Sequence, residues 1–263
     1  MHHKIILITG SGSGIGKAAA VALARRGHTV IATTHHSEDA RALTKFAQAQ
    51  KIPLTSFALD ITQAAHRKKI LAYDLDVLIN NAGIGETGSL AEIKMERVRN
   101  NFEVNVFSTF ELAQIALGPM LKKDSGTLIF VSSVLGRVTA PFFGPYSMSK
   151  FALSSGAQML RKELKQITHS VHVALIEPGA YHTGFNQKMV QKKYEWMDKK
   201  SYFFKILGKI KAAEAQQFRV VEQKNLSTIV AKIVQAAEAD VPKLRYSAPW
   251  WQAYGVAFLR LVS

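Results

Sequence analysis

The chain contains no cysteine, so neither a disulfide nor thiolate chemistry contributes to it, and a reducing compartment suits it. No stretch reaches the roughly 18 consecutive apolar residues that a transmembrane helix needs. The N-terminal apolar run covers only residues 5–8 before Thr9 and Gly10, too little for a secretory signal. There is no internal repeat and no low-complexity linker that would divide the chain. Acids are scarce: 19 Asp and Glu stand against 34 Lys and Arg, a formal net charge of +15. Such a surface attracts anions, among them phosphorylated cofactors and acidic lipid surfaces, or it serves only solubility. Nucleic acid is not an expected partner, and the expected location is cytoplasmic.

What is present is enough apolar sequence, 48% of 263 residues, to bury a large core. Short β-branched runs alternate with helical stretches from residue 4 to about 246. This alternation predicts an α/β fold: one Rossmann-type, doubly wound parallel sheet in a three-layer α/β/α single domain. Residues 1–246 would form that domain, with 185–222, which breaks the regular alternation, as a substrate-loop or lid insertion. Residues 247–263 would form an apolar C-terminal tail. One long helix is expected over 90–121, and a last strand over 243–246.

The first strand, 4–9, runs into Gly10, Gly14 and Gly16, and an alanine-rich helix follows. Glycines at these three places allow a tight turn and close approach of backbone to a pyrophosphate. The helix N-terminus behind them presents free N–H groups to an anion. At the end of the second strand, an acid would bind the ribose 2′-hydroxyl of NAD. The chain instead has Thr34, His35 and His36, with no acid before Glu38. Hydroxyl and imidazole donors do not repel a 2′-phosphate, so NADP is preferred and NAD remains open. Asp60 closes the third strand. Asn80, Asn81, Ala82 and Gly83 follow the fourth, at a strand end where ligands collect in open α/β sheets. Asn105 sits in a helical stretch that disfavours asparagine, so it needs a partner.

Ser133 precedes Tyr146 by thirteen residues, and Lys150 follows Tyr146 by four. Residues four apart share a helix face, so the phenol and the ammonium enter one space. A nearby cation favours the phenolate and would make the tyrosine a usable acid or base. Between residues 185 and 204 the chain is apolar and aromatic, which suits a hydrophobic substrate. No metal-ligating cluster is expected.

Together these motifs, TGSGSGIG at 9–16, Asp60, NNAG at 80–83, Asn105, Ser133, Tyr146-x-x-x-Lys150, and Pro178-Gly179 with Thr183, resemble the short-chain dehydrogenase/reductase family. The resemblance implies an NAD(P)-dependent oxidoreductase that interconverts an alcohol and a ketone or aldehyde. It implies that Tyr146 is the general acid/base and that Lys150 lowers its pKa and holds ribose hydroxyls. Ser133 would bind the substrate oxygen, and Asn105 would anchor a water in a proton relay. Gly10, Gly14 and Gly16 would cradle the pyrophosphate, with Ser11, Ser13 and Ile15 beside them. Asp60 would meet the adenine, Asn81, Ala82 and Gly83 the adenosine side, and Pro178, Gly179 and Thr183 the nicotinamide end. The alternative is a non-catalytic NAD(P)-binding regulator or scaffold on the same fold.

Two further expectations concern partners. The small residues Ala152, Ser155 and Gly156, with Met159, suit close packing against a second subunit in a homodimer or homotetramer. The stretch 188–224 carries ten Lys or Arg against four acids, and the tail carries two tryptophans and a tyrosine. Both features fit peripheral membrane contact, or else a lid and a packed terminal segment.

Overall fold

The aliphatic runs pair side by side as β1 (Ile5–Ile8), β2 (Thr29–Thr34), β3 (Leu54–Ala58), β4 (Val77–Asn80), β5 (Gly126–Val131), β6 (Val171–Pro178) and β7 (Arg245–Ala248). The structure is a computed structural model and describes residues 2–262. All the pairings are parallel, and the sheet order is β3-β2-β1-β4-β5-β6-β7. Parallel neighbours need a crossover, and the chain supplies helices for it.

The sheet is apolar on both faces because successive strand residues point to opposite sides. Ile6, Ile8, Val77 and Ile79 pack with α1 (Gly14–Arg25), α2 (Ser37–Ala49) and α9 (Ser227–Glu238). Leu7, Leu78, Leu128 and Phe130 pack on the other side, with α5 (Ser108–Lys122) and α6 (Gly144–Leu164). Strand order reverses between β1 and β4. A crevice opens there beyond the C-terminal strand ends, where ligands bind in sheets of this kind. Between β3 and β4 the chain makes only a short helix, α3 (Ala64–Arg67), and a 3₁₀ stretch, Lys68–Ala72.

Three local expectations need correction. Residues 90–94 are turn, because the Ser89 hydroxyl and carbonyl take the N–H groups of Ala91 and Ile93, at 3.1 and 3.0 Å. Helix α4 therefore begins late, at Met95–Phe102. It then passes through a π turn, Glu103–Phe107, before α5. The segment 185–222 holds no strand, so the strand–helix alternation breaks there. It forms α7 (Phe185–Tyr194), a 3₁₀ turn at Phe204–Ile206 and α8 (Leu207–Val221). The last strand lies two residues later than 243–246 and crosses the expected boundary at 246. Beyond it the tail is helical as α10 (Trp250–Val262). Residues 1 and 263, the outer limits of the two expected segments, lie outside the described residues.

Helix α8 is held unusually. Its buried side chain is Glu214, which pairs with the buried Lys193 Nζ and accepts the Tyr194 hydroxyl at 2.6 Å. Burial pulls the Lys193 ammonium below its ordinary pKa despite that partner. Removing one member of a buried pair costs about 3–5 kcal/mol. Glu214→Ala is therefore expected to loosen α8 from α7. Limited proteolysis should cut within 195–221 faster in the variant than in the parent, while the sheet's hydrogen-exchange protection stays as it was.

Candidate active site

The glycine loop is drawn tight against the end of β4. The Asn81 side-chain amide donates to the carbonyls of Thr9 and Gly10, at 2.8 and 3.0 Å. The Thr9 hydroxyl in turn accepts the N–H groups of Asn81 and Ala82, at 3.1 and 2.9 Å. Side chains would not fit here. A Cβ on Gly16 would lie 2.4 Å from both the Gly10 carbonyl oxygen and the Asn81 amide nitrogen. Gly10 and Gly14 have φ of +68° and +58°, in the left-handed region that glycine tolerates. The loop leads straight into α1, whose first N–H groups face the same opening.

A cavity of about 580 Å³ lies beyond these strand ends. Gly10, Ser13, Gly14, Ile15 and Gly16 form its floor, with Asn81, Ala82 and Gly83 beside them. Pro178, Gly179 and Thr183 close one side, and Ser133, Tyr146 and Lys150 stand opposite. A bare glycine floor at a helix N-terminus, with hydroxyls around it, fits a pyrophosphate-bearing dinucleotide.

The other expected residues lie off this cavity. The Ser11 hydroxyl is buried and donates to Ile8 at 3.1 Å. The Thr34 hydroxyl donates to the His36 carbonyl at 2.7 Å. Asp60 accepts from the Thr62 N–H and hydroxyl, with His35 at 3.6 Å from its other oxygen. Thr34, His35 and Asp60 belong to the far end of the sheet, at β2 and β3.

Helix α6 carries Tyr146 and Lys150 and is tied to the strand end that carries Ser133. Ser132 and Ser133 point to different jobs. The Ser132 hydroxyl bonds the Ser154 hydroxyl at 2.7 Å and the Lys150 carbonyl at 3.2 Å, holding α6 to the end of β5. Ser133 hydrogen-bonds the Tyr146 phenol and caps the following 3₁₀ turn. Lys150 Nζ donates to the Val131 carbonyl at 2.9 Å and lies 5.8 Å from the Tyr146 ring centre.

Burial dominates both titrations. It raises the phenol to about 12, against which the Ser133 hydrogen bond works. It lowers the lysine to about 8. The lysine does not by itself bring the phenol down. With the side chain this dry, whatever further positive charge enters the cavity acts on the phenol with little screening.

The buried lysine carries a stability cost with a defined pH window. Below pH 8 both the folded and unfolded chains hold its proton, so the burial penalty is fully present. Between about 8 and 10.5 only the unfolded chain stays protonated, and folded stability rises with pH. Lys150→Met is thus expected to be more stable than the parent at pH 7, by on the order of 1–3 kcal/mol. Thermal unfolding should show that gap closing as the pH approaches 10.5.

Asn105 is not exposed to the cavity. Its amide donates to Ile84 O at 2.8 Å and to Ser149 Oγ at 3.0 Å, and its Oδ1 accepts from Ile84 N at 2.8 Å. A Cβ on Gly83 would sit 3.1 Å from Asn105 Oδ1 and 3.6 Å from Lys150 Nζ. Asn105 and the lysine thus flank the same glycine. The π turn that carries Asn105 breaks the regular helix bonding, as such turns do at functional sites.

Sequence reasoning marked 185–222 as a substrate segment without naming its residues, and it missed the tail. Phe185, Met189, Phe218 and Val221 come into the cavity from α7 and α8, and Trp251, Gln252 and Val256 from α10. Gln252 accepts the Ala180 N–H at 2.8 Å and donates to the Val221 carbonyl at 2.7 Å. It also explains Gly179, where a Cβ would lie 2.0 Å from Gln252 Oε1. The available signal was one glutamine within an otherwise apolar tail. Buried Glu177, just before Pro178, pairs with Arg245 and Arg137 and accepts the Ser247 hydroxyl at 2.9 Å. It ties the loop after Ser133 to β7.

Comparison with known proteins agrees with this geometry. Residues 4–194 match the family model described as short chain dehydrogenase. The human 17-beta-hydroxysteroid dehydrogenase type 1 is 32% identical over 257 residues, covering 94% of this chain and 77% of that protein. The 3-ketodihydrosphingosine reductase of Bacteroides thetaiotaomicron is 30% identical over 236 residues, 89% of this chain and 84% of that one. A solved short-chain dehydrogenase from Streptomyces avermitilis superposes with a TM-score of 0.78 at 25% identity, covering 99% of this chain and 94% of its own. This chain belongs to the short-chain dehydrogenase/reductase family and is an NAD(P)-dependent oxidoreductase acting on CH–OH groups.

Proposed function

We propose that the protein interconverts a hydrophobic secondary alcohol and its ketone, with Tyr146 moving the proton. The observation that carries this reading is the position of the phenol. It is buried, bonded to Ser133, and faces a cavity whose lining includes Val134, Leu135, Phe143, Met189 and Phe218, with Asn186, Lys188 and Gln217 as its polar members on α7 and α8. Such a wall strips water from an apolar substrate and leaves few polar groups to orient it.

The glycine floor and Thr183 would hold the cofactor, which when bound supplies or accepts the hydride. Ser133 orients the substrate oxygen toward the phenol. Tyr146 gives its proton to that oxygen in reduction and takes it back in oxidation. Lys150, near neutrality in its own titration, holds positive charge behind the phenol and can pass a proton along the Asn105 side of the cavity. Helices α7 and α8 act as the substrate lid. Steroid-like and sphingoid ketones suit the lining, in keeping with the two relatives named for such substrates. A panel of ketones of rising apolarity, assayed with NADPH and NADH, tests this. Turnover confined to small polar ketones would overturn it.

NADP(H) is the proposed preference, on the want of an acid at the end of β2 and on the basic surface. The opposing feature is Asp39 in the first turn of α2, whose side chain lies 3.5 Å from where a Gly12 Cβ would be. Asp39→Asn is expected to raise NADPH affinity relative to NADH, read by paired fluorescence titrations. A second copy of the chain is proposed to cover Met148, Phe151 and Met159, which α6 exposes together. Light scattering should give the mass of a dimer or tetramer.

A further inference from the structure

We propose that α10 docks this protein on an anionic lipid bilayer, lying in the plane of the headgroups beside the mouth of the cavity. The helix has two distinct faces. Inward, Gln252 and Val256 close the cavity. Outward, Trp250, Tyr254 and Phe258 are 72%, 71% and 64% exposed. Their spacing of four residues sets them in one stripe. Trp250 and Tyr254 contact edge to face, with centres 6.0 Å apart. Trp251 stands between the faces, 38% exposed and also part of the cavity wall.

Three large aromatic side chains in one exposed row are costly in water. Tryptophan and tyrosine are favoured where hydrocarbon meets headgroups. Among the described residues no helix is long and apolar enough to cross a membrane. With one side closing the cavity and the other an exposed aromatic row, the helix fits the interfacial class, which binds by apolar area plus attraction to acidic lipid.

Charge chooses the bilayer over a second copy. The chain carries +15. Apart from the buried Lys193–Glu214 pair, nine cations stand against three acids within 188–224, and Gln252 fastens the end of that segment to α10. A second copy would bring a second +15 to the contact. Anionic headgroups are complementary to it. Trp251 makes the exposed row continuous with the apolar cavity wall, so a bilayer-dissolved substrate would enter without crossing open water. That last consequence, unlike the docking itself, rests on the apolar-substrate reading.

The test is co-sedimentation of the full chain with phosphatidylcholine vesicles, with and without phosphatidylserine, at low and high salt. The parent should bind only the phosphatidylserine vesicles, and salt should release it. The triple variant Trp250→Ser, Tyr254→Ser, Phe258→Ser should bind at least about tenfold more weakly. It should still bind NADPH and turn over a water-soluble ketone as the parent does. Absence of parent binding would overturn the proposal, as would equal binding by the variant. A parent oligomer that the triple variant dissolves would overturn it too, by assigning the face to a second copy. If no apolar ketone is turned over yet the vesicles still bind, the substrate reading fails and the docking stands.

Discussion

Replacing Tyr146 by phenylalanine is expected to lower kcat by about 10²–10⁴-fold, the range a positioned general acid or base contributes. NADPH affinity should hardly move, because the glycine floor and Thr183 are untouched. The ring keeps its packing in the cluster with Phe143 and Met189, and its contact with Phe185 at 5.9 Å between centres. Only the hydroxyl is lost, and with it the bond from Ser133. The fold should be as stable as the parent's or more so, since a dry phenol with one partner gives little back on folding. Steady-state rates, a NADPH titration and thermal unfolding on the same preparation separate these effects. A variant that keeps most of its activity would remove Tyr146 from the proton path. Ser133→Ala should depress the rate by less, since a buried phenol next to the substrate can still donate.

The second large effect is a contrast between two glycines in one loop. Gly16→Ala is expected to cut NADPH affinity at least tenfold, a loss of about 1.4 kcal/mol or more. It should also destabilise the protein by about 1–3 kcal/mol, the usual cost of overpacking. The new methyl would meet the Gly10 carbonyl and the Asn81 amide at 2.4 Å, and neither is a flexible chain end. Moving them breaks the bond that fastens the loop to β4. Gly12→Ala should leave both properties unchanged, because its Cβ meets only Asp39, at 3.5 Å, an ordinary contact. Equal losses in the two variants would mean that flexibility of the whole loop, and not the tight floor at Gly16, governs binding.

The difference between those glycines was legible in the sequence, since Gly16, and not Gly12, is one of the three assigned to the tight turn. The alternating sheet was legible for the same reason: periods of two and 3.6 are local, and both faces of each strand are apolar. The helix pair Tyr146 and Lys150 also follows from local spacing. What escaped depends on distant partners. Propensity extends a helix back to residue 90, but Ser89 takes the N–H groups of the next turn. Asn105 asked for a partner, yet nothing local names Ile84 and Ser149. The inner face of α10 is visible only once Gln252 is seen to reach Ala180 and Val221. The burial of Tyr146 is hidden for a similar reason. The sequence shows the neighbouring cation, whereas the larger effect, burial, belongs to the assembled site.

Glu214 has one consequence for how such a protein can change over generations. The rest of α8 is exposed or only partly covered, so most of its residues answer to no neighbour in the sheet. The family model ends at residue 194, before this helix begins. If α7 and α8 form the substrate lid, an α8 exchanged for another sequence that keeps the one glutamate is the smallest graft expected to alter ligand preference while leaving folding intact.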